Sequence, residues 1–123
     1  MKKTKMLKKN YEFKKVLNKG NYYSGRYIEA FIFKNNFKFN LLGLAISVKT
    51  AKAVKRNLIK RLIRENYKNI EESIKTGYSI VFLWKKKSNI EDATYKNIKE
   101  DMYTIISKSK LNKENIWKKY LFL

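Results

Sequence analysis

One helix set between two strands constrains the fold of this chain more than any other feature. From residue 51 to 65 the apolar side chains recur every three or four positions, the period of a helix buried on one side. Residues 40–49 before it alternate as a strand does, and residues 78–84, YSIVFLW, are apolar on both faces. Strand, helix and strand in this order predict a crossover that joins a parallel pair, with the second strand in the centre of the sheet.

The outer face of the predicted helix is basic. Its positive residues and one flanking amide, with no acidic residue among them, are Lys49, Lys52, Lys55, Arg56, Asn57, Lys60, Arg61 and Arg64. Like charges four residues apart destabilise an isolated helix by roughly 0.2–0.5 kcal/mol per pair, and lysines at its N-terminal end oppose the helix dipole. Bound phosphates would turn both repulsions into attractions. A solvated charged face is the alternative.

The use of arginine favours phosphate binding over a solvated face. Only four of the 30 basic residues are arginine, and three of them, Arg56, Arg61 and Arg64, fall in this helix. Arginine offers a planar fork that binds anions through two parallel hydrogen bonds, which lysine cannot reproduce. We therefore infer that guanidinium geometry matters here and that phosphate or base recognition is the reason.

Composition points to a single folded domain, residues 1–123, with a polyanionic partner. Aromatic residues make up 15% and apolar residues 44% of the chain, enough for a core. A net charge of +20 predicts nucleic acid as the first candidate partner and an anionic membrane as the second. No apolar run approaches the roughly 18 residues that span a bilayer, and no signal-peptide core follows the basic N-terminus. A cytoplasmic location without membrane contact is expected.

The residue types that usually carry catalysis are scarce. The chain has no Cys and no His, which removes thiolate ligands and the commonest general base. Six of its ten carboxylates are adjacent pairs, and neighbours on a helix point about 100° apart, so such pairs do not converge on one metal ion. We therefore expect no catalytic residue and no metal site in this chain.

The N-terminal half predicts a second surface that is rich in aromatic residues. A short helix is expected from Asn10, as its N-cap, to Gly20, with Phe13 and Leu17 on one face. Residues 21–35 alternate as one strand, whose more aromatic face includes Phe31. That face either packs under a helix or offers stacking platforms to unpaired bases, worth about 1–3 kcal/mol per base.

The next strand is predicted to form one wall of a groove. Small residues, Gly43, Ala45 and Ser47, occupy one of its faces and would allow a helix or a backbone to approach closely. Its other face carries Leu42, Leu44, Ile46 and Val48 toward the core. We expect this strand to pair antiparallel with residues 21–35.

The run from Ala53 to Glu65, AVKRNLIKRLIRE, resembles the signature helix of the protein subunit of bacterial ribonuclease P. In that family the helix carries an Arg-Asn-Arg core, then a Lys-Arg pair and a further Arg. Here the third core position is Leu58 in place of arginine. The resemblance extends along nearly the whole chain, and all four arginines, Arg26 included, coincide with arginines of the family pattern.

The resemblance implies an α+β domain, a single αββαβα sandwich with a left-handed βαβ crossover, similar to the second domain of ribosomal protein S5. It implies that the basic helix binds the catalytic RNA subunit and that a groove binds the 5′ leader of precursor tRNA. The groove residues would be Phe13, Leu17, Arg26 and Phe31. A core position is the alternative for Phe13 and is favoured for Leu17, which stands where a second aromatic is common. In that enzyme the RNA subunit carries the chemistry and holds the Mg²⁺.

The two ends of the chain differ in composition, one being basic and the other largely apolar. Residues 1–9 hold five lysines and are expected to form a mobile basic arm, and residues 113–123 are expected to form an apolar C-terminal tail that caps the sheet or a helix.

A ribosomal or general RNA-binding protein of similar fold is the main alternative function. A DNA binder with the basic helix in a major groove is disfavoured, since a strand stands where a helix-turn-helix partner is expected.

Overall fold

A mixed five-stranded sheet with helices on both faces organises residues 1–113, the part of the chain that this computed structural model describes. The elements are β1 (Thr4–Met6), α1 (Asn10–Lys19), β2 (Asn21–Ser24), β3 (Ile28–Lys34), β4 (Asn40–Leu44), α2 (Ala53–Ile70), β5 (Tyr78–Trp84) and α3 (Tyr95–Lys108), with 3-10 turns at Glu71–Ser73 and Ile90–Asp92. The strand order is β1-β4-β5-β3-β2. The predicted α+β class is confirmed. The predicted C-terminal tail lies, from residue 114 on, outside the described residues.

Strand β5 is central, as its doubly apolar sequence predicts. It pairs parallel with β4 and antiparallel with β3, and Ile80, Val81 and Phe82 are fully buried. The unit β4–α2–β5 is therefore the predicted crossover with a parallel pair, while its left-handed sense stays a prediction. The expected antiparallel pairing of residues 21–35 with 40–49 is wrong, because β5 lies between β3 and β4 and takes the ladder hydrogen bonds of both.

Residues 21–35 form two strands instead of the single strand expected. Strands β2 and β3 make an antiparallel hairpin that turns at Gly25 and Arg26. The carboxylate of Asp101, on α3, accepts the backbone N–H groups of Arg26, Tyr27 and Ile28 at 2.8, 2.6 and 2.9 Å. A side chain at Gly25 would place its Cβ 2.6 Å from Cγ of Asp101, so glycine is what allows this close approach.

The larger core lies between the sheet and helices α2 and α3. One face of the three inner strands supplies Ile28, Ala30, Ile32, Leu42, Ile80 and Phe82, and the helices supply Ile59, Ile63, Tyr67, Ile98, Met102, Ile105 and Ile106. Two residues predicted for apolar faces, Val48 and Val54, are 75% and 78% exposed. The reason is that β4 already ends at Leu44 and the core contacts of α2 begin only at Leu58.

Three of the N-terminal residues, Thr4–Met6, are part of the sheet, so the expectation of a mobile arm is wrong for these three. Strand β1 pairs parallel with β4, and the hydroxyl of Thr4 lies 2.7 Å from that of Tyr67 in a buried hydrogen bond. Just before the strand, Nζ of Lys3 lies 2.9 Å from Oε2 of Glu72, a contact that raises the pKa of Lys3 and lowers the pKa of Glu72. The expectation of an arm did not account for the burial of Thr4 and Leu7, whose side chains are 7% and 6% exposed.

Helix boundaries agree with the sequence only in part. Helix α1 ends at Lys19, directly before Gly20 as predicted, but Asn10 is its first residue and not its cap. Lys9 stands at the cap position and offers no side-chain hydrogen bond. Helix α3 has a side-chain cap, since the Thr94 hydroxyl accepts the backbone N–H of Asn97.

Candidate nucleic-acid interface

The basic face of α2 points away from the sheet. Every one of its eight predicted residues is at least partly exposed: Lys49, Lys52, Lys55, Asn57 and Arg61 are exposed, and Arg56, Lys60 and Arg64 are half-buried. The opposite side of the same helix buries Ile59, Leu62 and Ile63 in the core. The helical period therefore separates a buried from an accessible side of α2, and Lys49 and Lys52 add two accessible cations just before the helix begins.

The positive charge of this face has little internal compensation. Nε of Arg61 lies 3.8 Å from Oε1 of Glu65, which is the one ion pair that residues 1–113 give to the basic face. No acidic residue stands in the first turn of α2, and Lys52 at its N-terminal flank provides no side-chain cap. The guanidinium of Arg56 instead donates to the carbonyl oxygen of Ala51 at 2.6 Å, which fixes its position against the loop. A polyanion would meet an almost unpaired row of cations.

Leu58 lies at the bottom of a shallow hollow on the basic face. The side chains around the hollow are Val54, Lys55, Asn57, Arg61 and Arg64. Leu58 itself is half-buried and packs on the larger core. Where the resemblance implies an arginine, Leu58 thus joins the core, while Arg61 and Arg64, three and six residues further along the helix, keep the hollow basic.

The aromatic groove is formed on the opposite face of the sheet, where α1 covers only part of the strands. Its buried base consists of Leu7, Val16 and Val81, and the half-buried residues around it include Phe13, Leu17 and Phe31. The structure therefore brings three of the four predicted groove residues into one cluster. Leu17 packs on this cluster, as the core alternative expects, and its side chain is partly exposed.

Gly43 allows α1 to lie close to the sheet. A Cβ at this position would lie 2.6 Å from Cε1 of Phe13 and 2.9 Å from Cδ1 of Leu7. Both distances are far below van der Waals contact, so a larger residue would displace the Phe13 ring. The predicted role of small residues on this face of β4 is confirmed at Gly43.

The open side of the aromatic groove carries a tyrosine that the sequence pattern did not single out. Tyr22 on β2 is 51% exposed, and its ring centroid lies 5.2 Å from that of Phe31 at an angle of 57°. Its hydroxyl donates to Oε2 of Glu29, and this hydrogen bond raises the pKa of Tyr22. Tyr22 was missed because residues 21–35 read as one strand; Gly25 was the available signal for a hairpin.

Arg26 does not join the aromatic groove residues. It lies exposed in the β2–β3 turn, with its Cζ 5.3 Å from the ring centroid of Tyr27. That ring in turn stacks on Trp84 of the larger core, at 6.3 Å and 12°. The backbone N–H of Arg26 donates to Asp101, so Arg26 holds a defined position at the end of the hairpin.

Residues 1–113 contain neither a candidate metal site nor a helix that could span a membrane. Within that range no three His, Cys, Asp or Glu side chains lie together so that they could hold a metal ion. None of the helices there combines the length and apolar character needed to cross a bilayer.

Comparison with known proteins identifies the family. The family model described as Ribonuclease P matches residues 1–110. The ribonuclease P protein component of Clostridioides difficile is 37% identical over 110 residues, 89% of this chain and 95% of that protein, and that of Fusobacterium nucleatum is 41% identical over 107 residues, 85% and 96%. Among solved structures, the RNase P protein of Staphylococcus aureus aligns with a TM-score of 0.77 and 28% identity over 88% of this chain and 97% of that one. The Thermotoga maritima protein, at 23% identity over 85% and 96% of the two chains, shares the fold with a TM-score of 0.75. This chain therefore belongs to the bacterial ribonuclease P protein component family, subunits of the ribonucleoprotein endonuclease that acts in tRNA processing.

Proposed function

We propose that this chain binds the catalytic RNA subunit through the basic face of α2 and the 5′ leader of precursor tRNA in the aromatic groove. The observation that carries the proposal is the placement of the two surfaces on opposite faces of one sheet. Two RNA segments can then be bound at once without competing for the same side chains. Hydrolysis would be performed by the RNA subunit, with the Mg²⁺ held by that RNA.

The basic face suits a structured RNA because its charges are numerous, ordered and almost unpaired. The long stem of Arg56 is held by the Ala51 carbonyl, so less side-chain entropy is lost when its remaining N–H groups meet a phosphate. Each phosphate neutralised contributes a slope of about −0.7 to −0.9 to the logarithm of affinity against the logarithm of salt concentration. Binding should therefore weaken steeply as salt rises.

The aromatic groove suits a single strand because its rings are accessible on one side. Phe31 and Tyr22 present a tilted pair at its open edge, and Nζ of Lys15 lies 5.4 Å from the ring centroid of Phe33. Aromatic faces bind bases of any sequence, and nearby ammonium groups attract the backbone. A leader that differs from one tRNA to the next requires this kind of tolerant recognition.

The test is cleavage of a 5′-extended precursor tRNA by a bacterial ribonuclease P RNA at low Mg²⁺, with and without this protein. We expect cleavage at the mature 5′ end that depends on the protein, and no cleavage by the protein alone. Arg61→Ala should weaken binding to the RNA subunit, whereas Lys99→Ala, an exposed cation on α3, should not.

Two results would contradict the proposal in different ways. Salt-sensitive RNA binding without any enhancement of cleavage would favour a general RNA-binding protein. Equal affinities of Arg61→Ala, Arg56→Ala and the wild type for the RNA subunit would reject the basic face as the interface. Circular dichroism of each variant checks that the fold is intact.

A further inference from the structure

The turn between β3 and β4 carries a pair of stacked aromatic rings, one exposed and one partly buried, that neither the basic face nor the aromatic groove includes. The ring centroids of Phe37 and Phe39 lie 5.2 Å apart, and the rings are almost parallel, at 6°. Phe37 is 53% exposed, an unusual position for so apolar a ring. We call Phe37, Phe39 and Lys5 the turn platform.

The turn platform is held in shape by its neighbours. The side-chain oxygen of Asn35 accepts the backbone N–H of Phe37 at 2.8 Å, and its Nδ2 donates to Oγ of Ser79 at 3.1 Å. The backbone N–H of Asn35 donates to the carbonyl oxygen of Gly77 at 2.9 Å, and Asn36 adopts a left-handed φ of 64°. A ligand that stacks on Phe37 would therefore find the ring already ordered, which lowers the entropic cost of binding.

The charges around the turn platform suit an anion beside an aromatic ligand. Nζ of Lys5 lies 4.5 Å from the ring centroid of Phe39. The two rings line a hollow together with Lys8 and one acidic residue, Glu12. Phe37 also lines the neighbouring hollow beneath α1, where Lys15 lies over Phe33. Stacked rings with ammonium groups beside them are the combination that binds unpaired nucleotides, the base on a ring and the phosphate near a cation.

We propose that the turn platform binds an unpaired nucleotide of the precursor tRNA leader, with its base stacked on Phe37 and its phosphate near Lys5 and Lys8. The inference rests on the proposed function, since it extends leader binding from the aromatic groove to the β3–β4 turn. A leader long enough to cover both would gain affinity, whereas a short one would gain nothing from Phe37.

The experiment measures the affinity of the reconstituted complex of this chain and a ribonuclease P RNA for precursor tRNAs with a long or a short single-stranded leader. Phe37→Ala and Phe37→Leu both remove the ring, and leucine keeps most of the apolar bulk. Each should weaken binding of the long-leader substrate by about 5- to 150-fold, the range for loss of one stacked base. Phe37→Trp should retain wild-type affinity. Tyr95→Leu, which removes an exposed ring on α3, serves as the matched control.

Several outcomes would overturn the inference. Long-leader affinities that are equal in the wild type, Phe37→Ala and Phe37→Leu would show that no base stacks on this ring. A dimer that dissociates in Phe37→Ala would assign the turn platform to a second copy of the chain. A shift of tryptophan emission in RNA-free Phe37→Ala would assign it to the C-terminal segment, which holds Trp117, because Trp84 packs in the larger core.

Failure of this inference is separable from failure of the proposed function. The Arg61→Ala variant tests binding of the RNA subunit and does not involve Phe37. If Arg61→Ala loses affinity for the RNA subunit and Phe37→Ala keeps wild-type affinity for long leaders, the basic face stands and the turn platform is rejected.

Discussion

Replacing Asp101 tests how α3 fixes the β2–β3 turn. Its carboxylate is 4% exposed and accepts three backbone N–H groups at distances between 2.6 and 2.9 Å. A hydrogen bond to a charged group contributes about 1.5–3 kcal/mol. An asparagine keeps one carbonyl oxygen, which can accept one or two of these bonds, and turns its NH₂ group toward the remaining donor. Asp101→Asn should therefore lower the free energy of unfolding by about 2–4 kcal/mol.

Urea denaturation followed by circular dichroism measures this loss, and the neighbouring residue provides the control. Glu100→Gln removes one negative charge from an exposed position on the same helix, and should change stability by less than about 0.5 kcal/mol. Hydrogen exchange should localise the effect, with faster exchange at the amides of Arg26, Tyr27 and Ile28. An Asp101→Asn variant as stable as Glu100→Gln, with unchanged exchange at these amides, would refute the reasoning.

Three other substitutions test the groove, the core and the basic face. Gly43→Ala should destabilise the fold by about 1–3 kcal/mol through overpacking, as measured by urea denaturation, and adding Phe13→Leu should recover part of the loss; no recovery would contradict the contact between these residues. Burial raises the pKa of Tyr67 above its usual value of 10.0. The unfolded chain therefore releases this proton first, and the contribution of Tyr67 to stability is complete below about pH 10 and is lost as pH rises further. Tyr67→Phe should lower stability at neutral pH by about 1 kcal/mol and reduce the additional loss in alkali, and parallel pH profiles of the two proteins would contradict this. Leu58→Arg should tighten RNA binding and steepen its salt dependence by about 0.7–0.9 per added phosphate contact, so an unchanged slope would show that the hollow faces no phosphate.

Local patterns predicted the elements in which the placement of apolar residues on the two faces is clear. Helix α2 was predictable because residues such as Arg56 and Ile59 follow one period on opposite sides of it. Strand β5 was predictable because its apolar residues occupy both faces, which requires cover on both. Side chains at the ends of these elements were less predictable, as at Val54, because the period of a helix does not tell where its contact with the core begins.

Contacts between distant parts of the chain escaped prediction. Strand β1 was taken for an arm because its three residues contain a single apolar side chain, Met6, and resemble a basic tail until β4 is placed beside them. The hairpin of β2 and β3 depends on a carboxylate 75 positions away from Arg26, which no local pattern contains. The same reason explains the candidate site: the residues of the basic face lie on one helix or just before it, within a short stretch of sequence, whereas Tyr22 was added to the groove cluster and Arg26 lies outside it only through contacts between separate strands.

The position of β5 in the sheet has a consequence for the order in which the molecule can form during synthesis. The ribosome synthesises β3 and β4 before β5, and these two strands do not pair with each other. Both pair with β5, which begins 38 residues or more after the first residue of either strand. Until residue 84 has emerged from the ribosome, two apolar strands have unpaired edges. Such edges favour association between nascent chains. The large positive charge would oppose that association in the unfinished chain, so the residues proposed to bind RNA would also keep incomplete molecules apart.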